Sequence, residues 1–257
     1  MKLLKAEIRK LIYSRSSYGI LLASILLACI GTVITPIVIS NDETGLLGSL
    51  SDVQMVDGVY SKAISSYIFA IILGIILLSG EFRHGTAVAT FLVSPKRSKV
   101  LFAKLGVAAL AGAVMQTTAS LVAMAGANVT LSFLDAAKPS EDVFINVPLA
   151  AALSGAVLGV VGVAIGSLIR NQLIAIVSTL VWLFVVEPLV VLLFVDAGKY
   201  LPTGAITGML ALDIQVEEVG VNTTNFLPPQ LAALVLLGYG AFFALLALFT
   251  SLQRDID

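Results

Sequence analysis

With 58% apolar residues, only 12% charged residues and a mean hydropathy of +1.03 over 257 positions, the chain lacks the polar side chains to cover a water-soluble globule, whose charged share is about 25%. Lipid as the main solvent resolves that conflict. The net charge of −1 argues against nucleic acid as a partner, because a phosphate binder needs a basic excess. The single cysteine, Cys29, excludes an internal disulfide and a cysteine-based zinc cage.

In chain order, the first segment places Leu4, Ile8, Leu11 and Ile12 at helical spacing, with Lys2, Lys5, Arg9 and Lys10 largely elsewhere on the wheel. That pattern predicts an amphipathic helix over residues 1–17 lying in the membrane interface, its bases toward anionic headgroups. Apolar runs near the 20 residues that cross about 30 Å of hydrocarbon follow at Tyr18–Ile39, Ala63–Ser79, Leu105–Leu134, Val147–Ile169, Leu173–Val195 and Leu231–Thr250. The second is short and the third long enough to tilt or project. The expected fold is an all-α membrane protein, a single transmembrane domain over 1–257 with six spans. Leu26-Leu27-Ala28-Cys29 is a loose lipobox, but the apolar run continues to Ile39 behind a long helix-patterned segment, so the first span is expected to be retained.

Basic residues set the orientation. Lys2, Lys5, Arg9, Lys10, Arg15, Arg83, Lys96, Arg97, Lys99, Lys104, Arg170 and Arg254 fall on one side, and only Lys62, Lys138 and Lys199 on the other. Both termini are therefore expected in the cytoplasm. The external loops are expected at Ser40–Lys62, Asp135–Asn146 and Asp196–Gln230, the last with short helices capping the outer leaflet. Asn128-Val-Thr and Asn222-Thr-Thr match a glycosylation sequon by chance.

Between spans two and three, Glu81, Phe82, Arg83 and His84 lead to Gly85, which allows a sharp turn, and Thr86, which can cap a short helix reaching Val93. Ser94-Pro95 reads as the start of the next helix. In span four, Gly155, Gly159, Gly162 and Gly166 form one stripe where another helix can approach closely, whether of the same chain or of a partner. In span three, Gln116, Thr117 and Ser120 can bond neighbouring helices or line a polar path. Glu187 is the one ionisable side chain inside a span, roughly 21 Å along its helix. Burying an acid there costs about 2–3 kcal/mol. It faces a cavity or subunit interface and contacts cargo or steers a kink, or else it is a protonated or water-reached acid near the surface. Pro188 removes the backbone bond to Phe184 and can kink the helix.

Chemistry of its own is not readable in the chain. There is no Walker A loop, no G-x-S-x-G, no pair of intramembrane aspartates, and a single histidine, His84, which excludes a metal site needing two. The chain resembles the ABC-2 type permeases, membrane subunits of bacterial ABC exporters. The resemblance rests on Glu81-Phe82-Arg83-His84-Gly85-Thr86, Pro95-Lys96-Arg97 and Lys104. Glu187-Pro188, Tyr200-Leu201-Pro202, Arg254-Asp255 and the basic amphipathic start extend it over essentially the whole chain. It implies a multi-pass subunit of the cytoplasmic membrane, paired with a second permease subunit and docked on a separate ATP-binding subunit that holds ATP and Mg. Glu81–Thr86 would open the coupling helix near Arg83–Val93, and an amphipathic or hydrophobic cargo would move outward. The chain itself would be no enzyme and would carry no cofactor. The competing expectation is an ion- or proton-coupled secondary transporter, which calls for intramembrane charge pairs or broken helices in both halves.

Overall fold

The computed structural model describes residues 2–42, 47–83, 85, 97–169, 171–210 and 226–253. Among them the regular structure is helical. In chain order the α-helices are α1 (Lys2–Tyr13), α2 (Arg15–Ser40), α3 (Val53–Ser61), α4 (Ile68–Arg83), α5 (Arg97–Phe133), α6 (Val143–Leu168), α7 (Gln172–Val181), α8 (Glu187–Leu193), α9 (Val195–Gly198), α10 (Pro202–Met209) and α11 (Pro229–Gln253). A 3-10 segment, Lys62–Tyr67, joins α3 to α4, and a π-helical turn, Trp182–Val186, joins α7 to α8. Six helical stretches are long and apolar enough to cross a membrane. The protein is a multi-pass membrane protein.

Two helices extend beyond the apolar spans expected for them. The expected second span, Ala63–Ser79, lies inside a helical run from Val53 to Arg83, so helix also occupies part of the segment Ser40–Lys62 expected as an external loop. Asp57 and Lys62 hide this in the sequence. Asp57 is tolerated because its two oxygens accept from the backbone N–H (2.9 Å) and hydroxyl (2.7 Å) of Ser140. The third expected span, from Leu105, lies inside a helix that begins at Arg97. At 37 residues α5 is about 55 Å long, well beyond the hydrocarbon thickness.

Burial separates a centre from a periphery. Of its most apolar window α6 buries 67%, whereas Gln172–Leu193 buries 17%. α6 packs on both α4 and α5, α2 lies on α5, and α11 lies on α6. The glycine stripe explains the centre. A Cβ on Gly155 or Gly159 would run into the backbone carbonyl of Gly112 or Ala108 on α5, and one on Gly162 into that of Ile71 on α4. At Gly166 it would sit 3.0 Å from the Ile75 carbonyl. The stripe is therefore filled by two helices of its own chain.

Small and polar residues face inward elsewhere too. On α2 the buried positions are Ser24, Ala28, Thr32, Pro36 and Ile39, while Leu22, Leu26, Ile30 and Ile34 lie exposed. That arrangement is inverted relative to a soluble helix and is expected where lipid solvates the large apolar side chains. Gln116 is fully buried on α5. Its Nε2 donates to the Ile64 carbonyl (2.9 Å) and its Oε1 accepts from Ser66 (3.1 Å), whose hydroxyl accepts in turn from Ser24 (3.3 Å). Thr32 donates to the Ala123 carbonyl at 3.0 Å.

Gly162→Val should destabilise the protein by about 3 kcal/mol, the upper end for overpacking. Gly238→Val on α11, where an added Cβ meets nothing within 4 Å, should stay within about 0.5 kcal/mol. Unfolding in detergent micelles compares the two.

Candidate functional site

Four charged side chains close a ring where α1, the end of α4 and the start of α5 meet. Lys104 Nζ contacts Glu7 Oε2 at 2.7 Å and Glu81 Oε1 at 2.9 Å. Lys10 Nζ contacts Glu7 Oε1 at 2.7 Å and Glu81 Oε1 at 2.7 Å. Signs alternate around the ring, and the four formal charges cancel. Glu7, Glu81 and Lys104 are buried, whereas the Lys10 side chain is 46% exposed.

Each member is placed by its helix. Glu7 and Lys10 stand one turn apart on α1, so both reach the same spot. Glu81 sits in the last turn of α4, and Lys104 projects from the second turn of α5. The Lys104 ammonium donates to Glu7 Oε2 and, at 3.0 Å, to the Leu77 carbonyl, and it lies in ion-pair contact with Glu81. Two carboxylates and a carbonyl around the ammonium let a lysine be 1% exposed among apolar neighbours. Burial by itself would raise the Glu7 carboxyl, but the Lys104 and Lys10 ammonium groups more than offset it and hold the acid below its usual range. Burial would likewise lower Lys10, yet its bonds to Glu7 and Glu81 hold it above the ordinary lysine value.

The residues singled out between spans two and three are distributed unevenly around this ring. Glu81 is a member. Phe82 is partly buried against the cluster of Leu78, Leu101 and Leu105, and Arg83 is exposed. Gly85 is exposed with φ +66°, a left-handed conformation that favours glycine. His84, Thr86, the expected coupling helix up to Val93 and Ser94-Pro95 lie outside the described residues, as do Arg170, Asn222 and Arg254-Asp255. Sequence reasoning missed Glu7 and its partnership with Lys10 and Lys104. Two signals were present: Glu7 is the lone acid among basic residues, on the same helix face as Leu4 and Leu11, and Lys104 interrupts an apolar run.

At the opposite face, Glu187 is 2% exposed. Pro188 has no N–H for the Phe184 carbonyl, and the chain takes a π turn just before it, with the Glu187 N–H bonded to the Trp182 carbonyl. Glu187 Oε1 accepts from the Thr203 backbone N–H at 2.7 Å. Pro202, the first residue of α10, cannot donate, so Thr203 offers the first N–H of that helix.

Among the described residues no cluster of metal-ligating side chains occurs. No protein-family model matches the chain, and no curated protein matches it either.

Removing one buried partner strands the other's charge, so Glu7→Gln and Lys104→Met should each cost about 3 kcal/mol. The pair Glu7→Leu with Lys104→Met should cost less than the sum, and Lys10→Met about 1 kcal/mol or less. Unfolding measurements on the four variants check this. The Glu7 contribution is present above the ordinary glutamate value of about 4.3 and is lost as the pH falls through the depressed one. Stability measured in acid should therefore fall there, and less steeply in Glu7→Gln.

Proposed function

We propose that the chain is the membrane subunit of an ABC exporter of the ABC-2 type, moving an amphipathic or hydrophobic cargo outward on ATP hydrolysed by a separate subunit. The observation that carries this reading is the loop motif Glu81-Phe82-Arg83-His84-Gly85-Thr86 together with Lys104. The charge ring supports it physically. The segment between Glu81 and Lys104 is fastened at both ends to one neutral cluster, so a push on it is delivered to α4, α5 and α1 together rather than absorbed by a slack loop.

In this reading the ring faces the cytoplasm, in keeping with the 12 basic residues on that side against three on the other. α1 lies in the membrane interface, with Leu4 and Ile12 exposed on its surface to meet lipid and Lys5 and Arg9 to meet anionic headgroups. Both termini are cytoplasmic, the membrane is the bacterial inner membrane, and a second permease subunit completes the pore. ATP and Mg belong to the partner ATPase, and the chain has no catalytic site. An ion- or proton-coupled secondary transporter is the second reading. Buried Glu187 beside an interrupted helix favours it, and the rarity of such features elsewhere weighs against it.

The chain should co-purify with an ATP-binding cassette ATPase. Arg83→Ala should lower ATP turnover of that complex without unfolding the chain. Gly85→Pro, which forbids the positive φ, should lower both assembly and turnover. If neither substitution changed assembly or turnover, the coupling assignment would be wrong.

A further inference from the structure

Between Lys62 and Glu81 the second helical run carries no charged residue. At the rises of a 3-10 and an α-helix the two stand about 30 Å apart along it, which is one hydrocarbon thickness. α2 gives a similar measure. It has no charged residue after Arg15, and its Gly31, which lies against Lys62, is about 24 Å along the helix from Arg15. On α5, exposed Asn128 comes about 36 Å past Lys104. The charge ring therefore marks one edge of the hydrocarbon and Lys62 the other. α3, with Asp57 clipped to Ser140, stands beyond that second edge.

A lysine at the edge of the hydrocarbon reaches the headgroup layer with its long stem. Local geometry sets what accompanies it. Lys62 opens a 3-10 segment, in which residues i and i+3 eclipse each other, so Lys62 and Ser65 stand one above the other. Both are exposed. A Cβ added to Gly31 would come 3.3 Å from Lys62 Cβ and 3.6 Å from Ser65 Oγ, so both side chains leave the segment along its seam with α2. Neither makes a hydrogen bond or ion pair with another described residue. The acids nearest in sequence are engaged elsewhere: Asp57 accepts from Ser140, and Asp52 caps α3 through the Gln54 N–H. Toward the centre of the bilayer, one turn below Gly31 on α2, Leu27 is exposed.

An ammonium and a hydroxyl stacked at the hydrocarbon edge, above an apolar helix face, match the phosphate and upper acyl chain of a phospholipid. We propose that Lys62 and Ser65 form a phospholipid site in the leaflet opposite the charge ring. The ammonium and the hydroxyl donate to the phosphate, and one acyl chain runs down α2 past Leu27. Binding makes and breaks no covalent bond. The site depends neither on what drives transport nor on the cargo.

The test uses the full chain. Spin labels at Gln54→Cys and Leu26→Cys, each in a Cys29→Ser background in lipid nanodiscs, check the placement. A water-soluble relaxation agent should reach the first, and dissolved oxygen should dominate at the second. A Gln54 label shielded in hydrocarbon would overturn the placement and with it the site. Native mass spectrometry of the delipidated chain in detergent then measures binding of phosphatidylglycerol, with diacylglycerol of the same chains and inorganic phosphate as comparison probes. Lys62→Met should weaken phosphatidylglycerol binding severalfold and Ser65→Ala less, while Lys62→Arg should bind as the wild type does. Diacylglycerol should bind weakly and alike to all four. Phosphatidylglycerol binding unchanged in Lys62→Met would overturn the proposal, including the case where that variant alters only self-association, which would place a second copy at the seam. An equal loss of diacylglycerol binding, or displacement of the lipid by inorganic phosphate at equal concentration, would overturn it too. If Lys62→Met does not fold, Lys62→Gln carries the same comparison.

Discussion

Helices in lipid gain little from hiding apolar side chains from one another, because the lipid tails are equally apolar. Close backbone approach is what remains, and it requires surfaces without side chains. α6 supplies such a surface with Gly155, Gly159, Gly162 and Gly166, while Gly112 on α5 and Gly74 on α4 supply the opposing ones. The three helices at the centre exist as a unit because of these contacts. α2, α7–α8 and α11 then pack around that unit with most of their large side chains turned outward.

Most polar groups inside this bundle find their partner within the protein. Gln116 does so through Ser66 and the Ile64 carbonyl, Thr32 through Ala123, and Asp57 through Ser140. These contacts also fix rotation. Asp57 on α3 and Ser140 before α6 lock the connection after α5 onto the second span, and Gln116 sets α5 against the 3-10 segment.

The two ends of the bundle treat buried charge differently. At the amino-terminal face, four residues from three helices share two positive and two negative charges, and Lys104 is paired with both acids and bonded to the Leu77 carbonyl. At the other face a lone carboxyl holds the start of a short helix through one oxygen.

Composition and hydrophobic run length alone determined that the chain is a helical membrane protein, with six helices among the described residues long and apolar enough to cross. Those quantities are local, and crossing about 30 Å of hydrocarbon with satisfied backbone bonds leaves few other solutions. The glycine stripe was legible as a close-packing surface for the same local reason, since helical periodicity places its members on one face. Which helices fill it was not, because sequence names no partner across space. The helix ahead of the expected second span was hidden by Asp57, whose compensation comes from Ser140, 83 residues later. The ring was hidden likewise: Glu7 and Lys104 read as isolated charges until folding brings them within 2.7 Å across a separation of 97 residues. Pairing of charges is a long-range property, and only the tertiary structure decided it.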